Sequence, residues 1–279
     1  MSAPVWAALD SAVAVTAPDD VLARLHVLLG PPAAAAPTAA VEVRGRDVLL
    51  DGALEPPQPH VVGGVLTALN RAVLAQCRSF ATHAGVVALG GRGVVLPGTS
   101  GAGKTTLVAA CAQAGLAVVS DEALVLAADG TVRPYARPLS LAPWSAARLG
   151  LQAWDVHEDG DAGSGGQGGE EAETAVPLAA LGDARAGDPL RVAHVLVPQR
   201  GADRAAVVPT GRAGTAALLL QRSFNHYRDP QGALALVAGV VRGARCGVLQ
   251  VGDPEEAARL LRDVLEQDVL ERDVPERLA

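Results

Sequence analysis

Apolar residues recur at helical spacing from Val61 to about Ser79 (Val65, Leu66, Leu69, Val73, Leu74), which predicts a helix packed on a later sheet. The period then changes. Residues 82–90, THAGVVALG, predict a strand, and Gly90-Gly91-Arg92-Gly93 a turn into a second apolar run, Gly93–Leu96. An Ala-rich helical stretch from Thr105 to Ala114 follows, with Gly115 as its C-terminal cap. LAVVS (Leu116–Ser120) reads as a buried strand that ends at Asp121-Glu122. In ALVLAADGTVRPY the Asp129-Gly130 pair lies between two alternating runs and predicts a hairpin. A short helix is expected from Pro143. Arg191–Pro198 and Ala205–Pro209 read as strands, and Thr215–Leu220, Gly232–Val241 and Pro254–Leu265 as helices, the last with Asp253 as N-cap.

Upstream, residues 1–30 read as one or two short helices, stopped by Gly30-Pro31-Pro32 and followed by an Ala/Pro linker to Pro37. VEVRGRDVLLDG alternates around Gly45 and predicts a hairpin, which Pro56, Pro57 and Pro59 break. The expected organisation is a small N-terminal α+β part over 1–60, a core over 61–265 and a charged tail over 266–279. Residues 158–174, acidic and Gly-rich, are expected to be a mobile loop long enough to close over an acceptor.

Composition narrows the partners. The chain has 23 basic and 30 acidic residues, no Lys/Arg stripe, and Lys104 as its only lysine, which argues against nucleic acid or an anionic membrane. Three scattered cysteines, Cys77, Cys111 and Cys246, suit a reducing compartment and no disulfide framework. No signal peptide and no transmembrane helix are expected, so the expected location is cytoplasmic.

The chemistry concentrates in GVVLPGTSGAGKTT, residues 93–106. Gly98-Thr99-Ser100-Gly101-Ala102-Gly103-Lys104-Thr105 fits the G-x-x-x-x-G-K-[ST] phosphate loop without departure, with Thr106 following. Glycines let backbone N–H groups turn inward around a β-phosphate. Lys104 would reach the β/γ oxygens and the Thr105 hydroxyl would ligate Mg²⁺, with ATP as the nucleotide. The fold class expected is therefore α/β, a phosphate-loop mixed sheet flanked by helices with a small N-terminal addition.

Geometry adds the acids. A helix of about ten residues carries the chain roughly 15 Å from the phosphates, and four or five strand residues return it. Asp121 and Glu122 then stand at the carboxyl end of a parallel strand beside that of the loop, where ligands bind in open α/β sheets. Such acids can hold Mg²⁺ or accept a proton from a hydroxyl. A carboxylate beside Lys104 and Mg²⁺ is expected to have a lowered pKa.

From His83 to Glu122 the sequence resembles the catalytic core of the HPr kinase/phosphorylase family: a His-bearing strand, a Gly turn, a phosphate loop, a helix, and an apolar strand ending in two acids. The resemblance implies active-site roles for His83, Lys104, Asp121 and Glu122, with an acid exchanging the proton, and Mg²⁺ on Thr105 and Asp121. VRPYARPLSL (Val132–Leu141) and RSFNHYR (Arg222–Arg228) resemble a branch found beside peptide-modifying enzymes, some of which phosphorylate a serine of a ribosomal precursor peptide. The sequence departs from the family in two respects. Its acid pair is Asp-Glu rather than Asp-Asp, and the family's later glutamate motif and Arg/Gly-rich loop are not recognisable. Arg137, Arg200 and Arg204 are the candidates for a transition-state arginine. A lone histidine near a strand start is more often structural, and only the resemblance sets His83 apart.

The implied activity is transfer of the ATP γ-phosphate to a serine-type hydroxyl of a peptide or protein, by a chain expected to form a homo-oligomer. A small-molecule kinase of the shikimate or nucleotide type also places an acid after the loop's helix, but the chain carries no Arg-rich lid. A nucleotide-binding regulator without transfer chemistry and a transport-type ATPase are the other readings. Against the last, Gly163-Ser-Gly-Gly-Gln167 lacks the leading Leu of its signature.

Overall fold

The computed structural model describes residues 2–98, 103–151, 154–155, 174–181 and 189–276. The chain divides into two compact units, Met1–Arg78 with Pro138–Ala180, and Ser79–Arg137 with Leu181–Ala279.

The first unit opens with β1 (Val5–Ala8), β2 (Ser11–Thr16), α1 (Asp19–Leu29), β3 (Ala39–Arg44), β4 (Asp47–Leu50) and β5 (Ala53–Leu54), which form one sheet in sequential order. The hairpin around Gly45 is β3–β4, as its alternation predicts. Of the one or two short helices expected over residues 1–30, one forms as α1, and the residues before it form the β1–β2 hairpin instead. Its turn runs through Leu9, at φ 52 in the left-handed region, so no Gly or Asn-Gly pair marks it in the sequence. Burial explains the outcome: Val13 and Val15 of β2 are wholly buried, which a frayed terminal helix would not achieve. The helix α2 (Val61–Gln76) forms where its period predicts, but packs on β2, β3 and β4 of this first sheet rather than on the later one. Val65 and Ala68 share one buried cluster with Leu25 and Val13.

The second unit begins with β6 (Phe80–Leu89), β7 (Arg92–Pro97), α3 (Lys104–Gln113), β8 (Ala117–Ser120), β9 (Ala123–Leu126) and β10 (Val132–Arg133). The chain then returns to the first unit for β11 (Leu139–Leu141), α4 (Pro143–Arg148), β12 (Trp154–Asp155) and β13 (Thr174–Val176), an antiparallel sheet in the order β11-β13-β12. Of the acidic Gly-rich stretch, residues 158–173 lie outside the described residues, and Thr174 begins β13. The second unit resumes with β14 (Arg191–Arg200), β15 (Ala206–Pro209), α5 (Arg212–Gln221), α6 (Pro230–Gly243), β16 (Arg245–Val251) and α7 (Pro254–Glu276).

Its sheet runs β10-β9-β6-β7-β14-β16-β15, with β8 also paired to β6. β7, β14 and β16 are parallel and the remaining pairs antiparallel, so the protein is mixed α/β with a mixed sheet flanked by helices. One expectation is corrected. β8 does not lie beside β7, because β6 intervenes and pairs with both. Since each is antiparallel to β6, β7 and β8 still point the same way.

Period two along β6 assigns its faces. Ala84, Val86 and Ala88 join Leu219, Val237 and Val241 of α5 and α6 in one cluster. Gly85 faces α3, where a Cβ would meet Val108 at 2.9 Å, so only glycine lets this helix approach. The tail expected from residue 266 is helical as far as Glu276. Asp268, 8% exposed, anchors it: His194 Nε2 lies 2.7 Å from one carboxylate oxygen and Arg245 Nη1 3.0 Å from the other. At the other end Asp253 caps the helix as predicted, its Oδ1 accepting from Glu255 and Glu256 N–H at 2.8 and 3.0 Å. Among the described residues no helix is long and apolar enough to cross a membrane.

Candidate active site

Two strand ends meet on opposite sides of the middle of β6. On β6, Ala84 is opposite Pro97, the last residue of β7, and Val86 is opposite Ser120, the last of β8. The glycine-rich segment after β7 and the acid pair after β8 therefore emerge on either side of β6, next to His83. This juxtaposition replaces the side-by-side strands expected from the sequence and reaches the same result by another route.

Of the predicted phosphate loop, Gly98 and Gly103 to Thr106 are described; Thr99, Ser100, Gly101 and Ala102 lie outside the described residues. Gly103 is the N-cap of α3 at φ 77, a left-handed conformation that costs a side-chain-bearing residue about 1 kcal/mol or more. The N-cap Gly103 has no side chain to cap α3 and no acid lies in its first turn, so the helix dipole there favours an anion. Lys104 opens the helix, is buried, and donates from Nζ to the Gly98 carbonyl at 3.0 Å. Burial lowers its pKa first of all, and Arg222 pushes the same way, against Glu122 and Asp121. These charges must be close to act so. Thr105 and Thr106 are half-buried on the same first turn.

The acids sit in a turn shaped by Ser120, whose Oγ accepts from the N–H groups of Glu122 and Ala123 at 3.2 and 2.9 Å. Asp121 is buried, 3% exposed, and Glu122 half-buried. Arg137 joins them, with Nε 3.3 Å from Asp121 Oδ1 and Nη2 3.0 Å from Glu122 Oε2. Burial would lower the pKa of this guanidinium, but Asp121 and Glu122 more than offset it and hold it above the ordinary arginine value. The expected low pKa of the acids is corrected at Asp121. Its burial raises the pKa, Glu122 adds to that, and Arg137 only partly opposes it.

His83 packs into the cluster. Its Nδ1 lies 2.9 Å from the Glu122 backbone oxygen, which also accepts from Ala84 N–H at 3.2 Å. A carbonyl only accepts, so Nδ1 carries the hydrogen and the neutral ring presents Nε2 as its basic nitrogen. Burial, then Lys104, lowers the His83 pKa, while the Glu122 carboxylate, 3.7 Å from Nδ1, works in the opposite direction.

The candidate arginines separate. Arg137 is at the acids. Arg200 ends β14, and its side chain lies where a Cβ on Gly103 would touch Cδ at 3.4 Å, against the start of α3. Arg204 is exposed, and no hydrogen bond or ion pair among the described residues ties its side chain to the site. The fold adds Arg222, which local sequence gave no means of singling out. Below Ala84 the edge of β6 is occupied by residues 222–225. The Arg222 carbonyl accepts from His83 N–H at 3.0 Å, and Phe224 N–H donates to Ala81 O at 2.9 Å. Asn225, buried, accepts from Ala81 N–H at 3.0 Å and donates to Ser79 O at 2.8 Å. The Phe224 ring meets His83 edge-on at 6.1 Å. The RSFNHYR stretch thus docks on β6 from about 140 residues away.

Among the described residues no group of three His, Cys, Asp or Glu side chains could hold a metal by itself. Mg²⁺ typically takes one or two protein oxygens and completes its shell with phosphates and water. The Thr105 hydroxyl and the Asp121 and Glu122 carboxylates are hard oxygen donors of that kind. A separate cleft of about 550 Å³ in this unit is lined by residues such as His194, Val207 and Arg212 and by none of the site residues above. No protein-family model matches the chain, and no curated protein matches it.

Proposed function

We propose that the second unit is a P-loop phosphotransferase that moves the γ-phosphoryl of ATP to a serine-type hydroxyl of a peptide or protein. One observation carries this reading: a glycine-started helix N-terminus bearing Lys104 and an acid pair held by Arg137, Asp121 buried and Glu122 half-buried, converge beside His83. The resemblance to the HPr kinase/phosphorylase family over His83–Glu122 supports it, and the resemblance of Val132–Leu141 and Arg222–Arg228 to a branch beside peptide-modifying enzymes suggests the acceptor class, including a ribosomal precursor peptide.

In this reading the backbone N–H groups of Gly98–Thr106 cradle the phosphates, and Lys104 Nζ exchanges its bond to Gly98 O for phosphate oxygens. Thr105 and Asp121 would hold Mg²⁺, which would supply charge neutralisation on the phosphate oxygens. The acceptor oxygen forms its bond to the γ-phosphorus as the bond to the β,γ-bridging oxygen breaks, and that electron pair leaves with ADP. The hydroxyl proton goes to a carboxylate of the Asp121–Glu122 pair. Arg137 keeps both carboxylates in place, with Nε 3.3 Å from Asp121 and Nη2 3.0 Å from Glu122. Neutral His83 braces the Glu122 backbone through Nδ1. Positioning and electrostatics supply most of the rate.

Calorimetry with Mg·ATP tests the first step. Lys104→Ala removes the chain's only lysine, so affinity should fall by at least tenfold, roughly 1.4 kcal/mol. Unchanged affinity in that variant refutes the loop's role.

A further inference from the structure

We propose that Arg222 contacts the transferred phosphoryl group, donating from its guanidinium to a γ-phosphate oxygen beside Lys104. This rests on the phosphotransferase reading and extends it to a residue outside the phosphate-loop motif and the acid pair.

The cations of the site are not equally available. Arg137 is held by both acids, at 3.3 and 3.0 Å. Lys104 donates to Gly98 O. The Arg222 side chain makes no hydrogen bond or ion pair among the described residues, and its Nε is buried without a partner. A buried donor left unpaired is costly, more so when charged, so a chain that keeps one beside an anion site gains from pairing it. The neighbouring charge points the same way. Arg222 lies close enough to the Lys104 ammonium to act on it as a like charge. Two such cations repel unless an anion with several oxygens lies between them, as a terminal phosphoryl would.

The backbone fixes where the guanidinium starts. Arg222 closes the C-terminal end of α5, its N–H bonded to Leu218 O at 3.1 Å and its carbonyl held by His83 N–H at 3.0 Å. Thr82 Oγ1 donates to Leu219 O at 2.7 Å, and Ser223 Oγ donates to Ala81 O at 3.0 Å, so both flanks of residue 222 are tied to β6. β6 is the strand that separates the glycine-rich segment from the acids. The backbone from which the guanidinium reaches is therefore fixed, as placing a group for electrostatic stabilisation of a transition state requires.

The test compares parent, Arg222→Gln and Arg222→Lys in three measurements: ADP affinity, ATP affinity, and transfer from ATP to a serine-peptide panel. Arg222→Gln should bind Mg·ADP within about twofold of the parent yet lose kcat by roughly 10³-fold, the scale of an arginine serving the transferred phosphoryl. Binding of ADP with aluminium fluoride, which mimics that group, should weaken in step with kcat. Arg222→Lys keeps the charge but not the fork and should fall between the two. Circular dichroism and thermal midpoints close to the parent's accompany this result. Parent-like kcat in Arg222→Gln overturns the inference while leaving the phosphotransferase reading intact. Equal loss of ADP and ATP affinity also overturns it, because Arg222 would then support the loop rather than the γ-group. A parent that neither binds ATP nor transfers phosphate overturns both.

Discussion

Arg137→Ala should destabilise the second unit by about 2–4 kcal/mol at pH 7, and the deficit should shrink as the pH falls. The Asp121 carboxylate is 3% exposed, and the Arg137 guanidinium is its charge partner at 3.3 Å. Deprived of it, the buried carboxylate takes up a proton. From an ordinary Asp pKa near 3.9 that costs about 1.4 kcal/mol per pH unit, so the ceiling at pH 7 is about 4 kcal/mol. The Arg137 side chain is 24% exposed, so water already screens part of the pair and the lower bound is about 2 kcal/mol. The pH dependence follows in sign. Burial raises the folded pKa of Asp121, so its bound proton adds stability below the unfolded pKa, and that stability is lost as pH rises through the folded value. Removing Arg137 raises the folded pKa further, so the variant gains more on acidification than the parent. At pH 5 the ceiling is about 1.5 kcal/mol. Arg137→Met combined with Asp121→Asn should recover much of the loss, since no buried charge is left uncompensated. The readout must come from the right unit. Trp6, Trp144 and Trp154 all belong to the first unit, so tryptophan emission is uninformative, and amide hydrogen exchange in β6 and β8 is the measurement. A deficit under about 0.5 kcal/mol at pH 7, or one as large at pH 5, refutes the reasoning.

Three further outcomes follow from the same site. Asp121→Asn and Glu122→Gln should bind nucleotide nearly as the parent does while transfer falls by roughly 10²-fold or more in assays on a serine-peptide panel; full activity in both ends the proposed proton transfer. His83 should titrate below its ordinary value near 6.5 by imidazole NMR, and as the pH falls from there the unfolded chain binds the proton first, so stability drops. A midpoint above 6.5 contradicts the buried, neutral ring. Gly103→Ala should cost about 1 kcal/mol or more in thermal or urea unfolding because of its positive φ, and should weaken nucleotide binding by crowding Arg200. An unchanged midpoint means the helix start is not held in that conformation.

Much of this site was legible in local pattern. The β6–β7 turn, the helix opening at Lys104, the apolar strand before Asp121 and the Asp129-Gly130 hairpin all lie within a few residues of their own signals. What escaped depends on distant pairing. The β1–β2 hairpin turns at Leu9 and Asp10 without a glycine, and only the buried sheet around Val13 and Val15 makes it a strand pair. β16 (RCGVLQV) is a short apolar run whose identity as a strand comes from its parallel partner β14. The strand order, with β6 between β7 and β8, has no local signature, since either neighbour would bury the same residues. Arg222 is reached through an isolated bridge from Thr82 to Ser223, and no spacing within RSFNHYR announces it. The raised pKa of Asp121 escaped for a related reason: proximity of cations was legible, but the depth of burial was not.

Transfer of phosphate itself tests the central claim most directly. The parent chain and Lys104→Ala are each incubated with Mg·ATP and a panel of serine-containing peptides, and phosphopeptide is measured by mass spectrometry. The account predicts phosphoserine with the parent, stoichiometric with the ADP released in coupled turnover, and none above background with Lys104→Ala. Equal phosphopeptide from both proteins, or none from the parent with any peptide, would contradict it.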